Sequence, residues 1–270
     1  MAAPPAARGG LAVALLGDAM LGRRVDAVLA ARAPDAAFVW GDRDALPLLR
    51  GGLAPPGGAE LNFANLETAV TTHERPSPGK AFNFKMAPAN VGALCAAQLR
   101  VVSLADSHAL DYGARGLEET LETLSGAGVA AAGAGVDAAA AAAPAVVRAG
   151  GIGVAFLAMS DHPAEWAATP RRPGINYIDP ERYDRAALAV QVDAARTAGD
   201  LLVVSVHWGP NWAWRPAPAI RALGRALVEL GADVVFGHSS HHIQDIEVYH
   251  GKPIIYGAGD FVDDYASPGN

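Results

Sequence analysis

Short apolar runs alternate with helix-patterned segments along the chain, and this alternation limits its fold more than any other feature. The runs are "LAVALLG" (11–17), "LRVVSLA" (99–105), "GIGVAFLA" (151–158), "LLVVSV" (201–206) and "ADVVFG" (232–237). They are brief, carry β-branched residues and are bounded by glycine or polar positions, which predicts buried strands. Helices are predicted over 116–128, 184–199 and 217–231, each closed by a glycine. Strand–helix–strand order of this kind gives an α/β fold with a mainly parallel sheet covered by helices. The alanine-rich segment 130–147 reads as a loop and short helix, and the Pro/Gly stretches 52–60 and 76–82 as loops. No long linker or internal repeat divides the chain, so a single domain over residues 1–270 is expected.

The polar residues gather at strand ends. The first run ends at Asp18, and "ELNFANLET" (60–68) carries Asn65 and Glu67. "VVSLADSH" ends at Asp106 and His108, "LLVVSVHWG" at His207, and "DVVFGHSSH" at His238 and His241. Taken singly, each has a plain structural explanation: Asp18 or Asp106 as a cap, Glu67 as a first-turn charge, His207 as a hydrogen-bonded loop residue. Five such endings together are better explained by one cavity, because carboxyl ends of parallel strands share one edge of a sheet. His73, His162 and His250 have no such placement. His242 follows His241 directly, and neighbours in an extended segment face opposite ways.

Imidazoles and carboxylates in one cavity suit a divalent transition metal such as Mn, Fe or Zn, as one ion or as a bridged pair. The single cysteine, Cys95, excludes both a disulfide framework and a thiolate cluster. With 28 acidic against 21 basic residues and no basic run, nucleic acid and anionic membrane are not expected partners. The apolar stretch 11–16 is too short for a secretory core, and no run approaches a membrane span. A soluble, unanchored, cytoplasmic protein is the expectation.

The motifs "GDAMLGR" (17–23), "NLET" (65–68), "GKAFNFKMAP" (79–88), "RPGIN" (172–176), "HWGPNW" (207–212) and "GHSSHHIQDIEVYHGKPIIYGAGDF" (237–261) resemble the poly-γ-glutamate capsule synthesis (CapA-like) family. So does the long stretch "LADSHALDYGARGLEETLETLSGAGVAAAGAG" (104–135). The resemblance covers nearly the whole chain in the family's order. It implies a calcineurin-like metallophosphatase fold, two packed sheets flanked by helices. It implies Asp18, Glu67, His207, His238 and His241 as metal ligands, with Glu67 bridging, and His108 as the catalytic histidine. Arg23, Asn65, Lys85 and Asn176 become candidates for binding an anionic or peptide-like substrate. The family usually reads Ala-Asn-Asn-His where this chain has Ala105-Asp106-Ser107-His108, so Asp106 is the candidate to replace the lost Asn ligand. Met20 stands where metallophosphatases keep a histidine. Three functions follow: metal-dependent hydrolysis, epimerisation at a peptide Cα with Asp18 and a histidine as acid–base pair, or non-catalytic binding of polyglutamate or a polymer synthase.

Overall fold

The computed structural model describes residues 10–32 and 59–265. The loop expected over 52–60 lies outside them but for its last two residues. The strands are β1 (Leu11–Ala19), β2 (Ala59–Asn65), β3 (Ala69–Val70), β4 (Lys85–Met86), β5 (Leu99–Ser103), β6 (Ala130–Ala132), β7 (Ala134–Gly135) and β8 (Ala145–Ala149). They continue as β9 (Ile152–Ser160), β10 (Gly174–Ile175), β11 (Leu201–His207), β12 (Val234–His238), β13 (Ile246–Tyr249), β14 (Lys252–Ile255) and β15 (Asp260–Val262). One five-stranded sheet runs β15-β1-β2-β5-β6, all parallel. A six-stranded sheet runs β13-β14-β12-β11-β9-β8, parallel at its centre and antiparallel at both edges.

The two sheets pack face to face. Leu61, Phe63 and Val101 of the first meet Val154, Phe156, Val203 and Phe236 of the second. Phe63 stacks on Phe156 at 4.6 Å and meets Phe236 edge-on at 5.7 Å. A helix over Gly113–Gly126 packs Leu117 and Leu124 on the outer side of the first sheet. Helices Arg185–Ala198 and Pro218–Leu230 cover the second through Leu188, Val192, Leu223 and Leu227. The result is a four-layer α/β/β/α arrangement of two packed sheets flanked by helices.

Each predicted strand and helix is present within about two to three residues of its expected bounds. The segment 130–147 is corrected. It holds a short helix, Ala138–Ala142, as expected, but also β6, β7 and the start of β8. Alanine is small enough to pair closely in a strand, yet it leaves no large apolar side chain to mark the period-two pattern.

Two glycines fix where the strands end. A Cβ on Gly17 would lie 1.7 Å from the Gly259 carbonyl oxygen, and one on Gly237 would lie 2.4 Å from that of Tyr256. Only glycine permits these approaches, and each is followed at once by a site residue, Asp18 or His238. Asp18 also sits at a register shift of β1 against both its neighbours.

Candidate metal centre

Asp18, His207 and His238 bring one ligand atom each within 4.8 Å of one another, and so do Asp18, Glu67, His241 and Asp260. Asp18 belongs to both sets. His207 and His238 are register partners on β11 and β12, which points both rings from one edge. Ser239 (φ 100°) and His241 (φ 57°) adopt left-handed backbone, which swings the His241 ring toward Asp18. His241 Nδ1 lies 2.8 Å from Asp260 Oδ1, 3.8 Å from Asp18 Oδ2 and 4.0 Å from Glu67 Oε2. Asp18 Oδ1 accepts from Asn65 Nδ2 at 2.8 Å, and Oδ2 from the Ser239 N–H at 3.1 Å.

Nearly all of these groups are buried, and their electrostatics reflect it. Burial pushes the Asp18 carboxyl up to about 7, with Asp260 adding to the rise and His241 opposing it. Burial, then the charges of Asp18, Asp106 and Asp260, raises Glu67 well above the usual range. Burial and neighbouring histidines hold His207 far down, and His238 falls to about 3. Burial also works against a charged His241, but the Asp260 hydrogen bond and the Asp260 and Asp18 charges outweigh it and raise its pKa. The neutral imidazoles of His207 and His238 beside crowded carboxylates suit a divalent cation, which would relieve the repulsion and use the imidazole lone pairs. Glu67 Oε2, a member of the second set, is buried without a hydrogen bond. Orphaned acceptors of that kind are costly unless something meets them. The residues present therefore fit a metal ion.

His108 stands beside the carboxylates. Its Nε2 is 3.6 Å from Glu67 Oε1, its ring stacks on Phe84 at 3.9 Å, and Nδ1 lies 2.6 Å from Asp111 Oδ2. Burial lowers its pKa against the pull of Asp111, so the ring is mainly neutral near pH 7 and available for proton transfer.

Some expected residues take other places. The carboxylate common to both ligand sets is Asp18 and not Glu67, which lies beyond the end of β2 between His108 and His241. Asp106 belongs to neither set; its Oδ1 accepts the His108 N–H at 2.6 Å, as a turn cap does. Asn65 contacts the centre through Asp18. Arg23 pairs with Asp264 at 3.1 Å and lies over Phe84. The polar contacts of Lys85 and Asn176 lead elsewhere: Lys85 donates to the His73 carbonyl, and the Asn176 amide donates to the Ala158 carbonyl and to Gln191 Oε1. His242 is outside both sets and packs its ring at a tilt against Trp214, 4.6 Å between centroids. Asp260, Asp111 and Lys80 were missed. All three lie inside quoted motifs, but in loops or at a three-residue strand where no period marks them. His162, also passed over, has its ring 5.0 Å from that of His207 and pairs with Asp161.

Comparison with known proteins bears on this geometry. Residues 12–265 match the bacterial capsule synthesis protein family PGA_cap. The chain belongs to that family. One relative is the probable polyglutamine synthesis accessory protein of Mycobacterium tuberculosis, 40% identical over 217 residues, or 78% of this chain and 57% of the relative. The PGA biosynthesis protein CapA of Bacillus subtilis is 29% identical over 263 residues, 94% of this chain and 63% of its own length. The chain thus spans less than two thirds of these relatives. A solved hypothetical protein from Thermus thermophilus superposes with a TM-score of 0.53 at 18% identity, over 92% of this chain and 76% of that one, and shares its fold. No helix among the described residues is long and apolar enough to cross a membrane.

Proposed function

We propose that this chain is a metal-dependent enzyme domain for capsule-type polymer assembly, acting by hydrolysis on an anionic substrate, peptide-like or phosphorylated. The observation that carries the reading is the sharing of Asp18 between two buried ligand sets. Asp18, His207 and His238 would hold one divalent ion, and Asp18, Glu67, His241 and Asp260 a second. Such ions supply an acidified water and stabilise developing negative charge. His108 moves the proton at Nε2, and Asp111 holds the ring by accepting from Nδ1. Asn65 and the Ser239 N–H keep the Asp18 carboxylate aimed inward.

A second reading is a non-catalytic partner of a polymer synthase. It is supported by the relative named as a probable polyglutamine synthesis accessory protein. Metal analysis of protein purified without chelator separates the two, together with assays of a chromogenic phosphodiester and of γ-glutamyl peptides in Mn²⁺. The hydrolytic reading requires bound metal and turnover that His108→Ala abolishes. Peptide Cα deuteration in heavy water without cleavage would assign epimerisation instead. Metal-free protein whose melting temperature ignores Mn²⁺ and Zn²⁺ would overturn the metal centre itself.

A further inference from the structure

Lys80 lies on the loop between β3 and β4, 28 residues from His108 in sequence. Its ammonium nevertheless meets Asp111 Oδ1 and the Ser107 carbonyl, lies 3.2 Å from His108 Nδ1, and sits 4.8 Å from the centre of the Trp166 ring. Two separate segments, 107–111 and the turn at Trp166, therefore converge on this one side chain, which is 23% exposed while the Asp111 side chain is wholly buried.

The Asp111 carboxylate is fully engaged. Oδ1 takes Lys80, and Oδ2 takes both the Phe84 N–H at 2.6 Å and His108 Nδ1 at 2.6 Å. Two lone pairs do not meet at 2.6 Å, so with Asp111 ionised Nδ1 carries the hydrogen. In the neutral ring this leaves Nε2 bare, facing Glu67. The Phe84 N–H and Lys80 together hold the Asp111 carboxylate in that arrangement, and Lys80 is the charged group that anchors its other oxygen. The same ion pair binds the loop carrying Phe84, whose ring covers His108.

We propose that Lys80 is a positioning residue for the reaction at this centre, locking His108 as the Nδ1–H tautomer through Asp111 and fastening the loop that covers it. The inference rests on the acid–base role assigned to His108, but its first test needs no turnover. Nitrogen-15 NMR of histidine-labelled protein should show His108 as a single Nδ1–H tautomer. In Lys80→Met, which keeps the alkyl stem over Trp166, that signature should split or move. Lys80→Arg, which keeps the charge, should restore it. With bis(p-nitrophenyl) phosphate and Mn²⁺, Lys80→Met should lower kcat about ten- to a hundredfold with KM nearly unchanged, the size of effect a small misplacement of a catalytic group produces. An unchanged tautomer in folded Lys80→Met would overturn the proposal. So would equal losses in the Met and Arg variants accompanied by equal falls in melting temperature, which would make the role structural only. Loss of the tautomer signature without measurable turnover in wild type would retain the Lys80 proposal while sinking the hydrolytic reading.

Discussion

His207 and His238 face each other Nδ1 to Nδ1 at 2.9 Å, from matched positions on adjacent parallel strands. Both are buried, and His238 Nε2 is already engaged at 2.8 Å by the Ser205 hydroxyl. One ring must give the other its hydrogen in the metal-free protein. A cation held by both rings, as proposed above, would replace that contact.

Metal affinity should therefore fall at least tenfold in His238→Ala, and likewise in His241→Ala, whose ring reaches Asp18 and Asp260. His242→Ala should change it little, because that ring lies against Trp214. Calorimetric titration with Mn²⁺ reads all three. Equal losses at 238, 241 and 242 would contradict the placement of the rings.

Stability of the metal-free protein should depend on pH in an unusual direction. Asp18 titrates at about 7 when folded and near 3.8 as an isolated group. The folded state thus holds its proton more tightly, and the stabilisation is lost as pH rises through about 7. The depressed histidines act oppositely, but only below about pH 6.5, where the unfolded chain protonates them. With chelator present, the melting temperature should fall from pH 6.5 to 8.5. Saturating Mn²⁺ should remove the fall, since the ion takes the ionised carboxylate. A flat profile in chelator would show that Asp18 is not perturbed.

Asp106→Ala should cost about 1 kcal/mol, the usual size of a lost cap, while metal stoichiometry holds. Its Oδ1 caps His108, and it joins neither ligand set. Melting temperature measured beside metal content decides the matter. Lost metal would make Asp106 the replacement ligand suggested by the 105–108 sequence.

Asp233 tests the scaffold away from the centre. It accepts from the Leu202 N–H at 2.9 Å, Arg196 at 2.7 Å and Lys252 at 2.7 Å. Burial resists its ionisation, but the Lys252 and Leu202 hydrogen bonds and the Arg196 charge lower its pKa overall. A depressed carboxyl stabilises above its unfolded value and loses that contribution as pH falls. Asp233→Asn should melt earlier than wild type at pH 7, and the gap should close as the pH falls below the ordinary carboxylate range. A gap independent of pH would assign the loss to packing.

Much of the architecture was legible because large apolar residues mark it. Val203, Val204 and Val206 announce β11, and Leu223 with Leu227 announces the helix over it. The strand-end clustering also points Asp18, Glu67, His207, His238 and His241 to one edge, where the structure brings them together. Asp260 was not legible. It sits on a strand of three residues that pairs with β1, almost the whole chain away, and no local pattern encodes so distant a partner. Lys80 and Asp111 were hidden for a related reason: their contacts join two loops, whose conformations follow turn chemistry and have no period. The alanine strands near 130–149 failed differently, because small side chains bury without advertising it.

The pairing of β15 beside β1 has a consequence for how the protein is made. Asp18 and Asp260 are register partners, so the second set of side chains comes together only after residue 260 has left the ribosome. A nascent chain displays the early carboxylates without the residue that closes their ring. A product truncated before residue 260 would lack the carboxylate that holds the His241 ring.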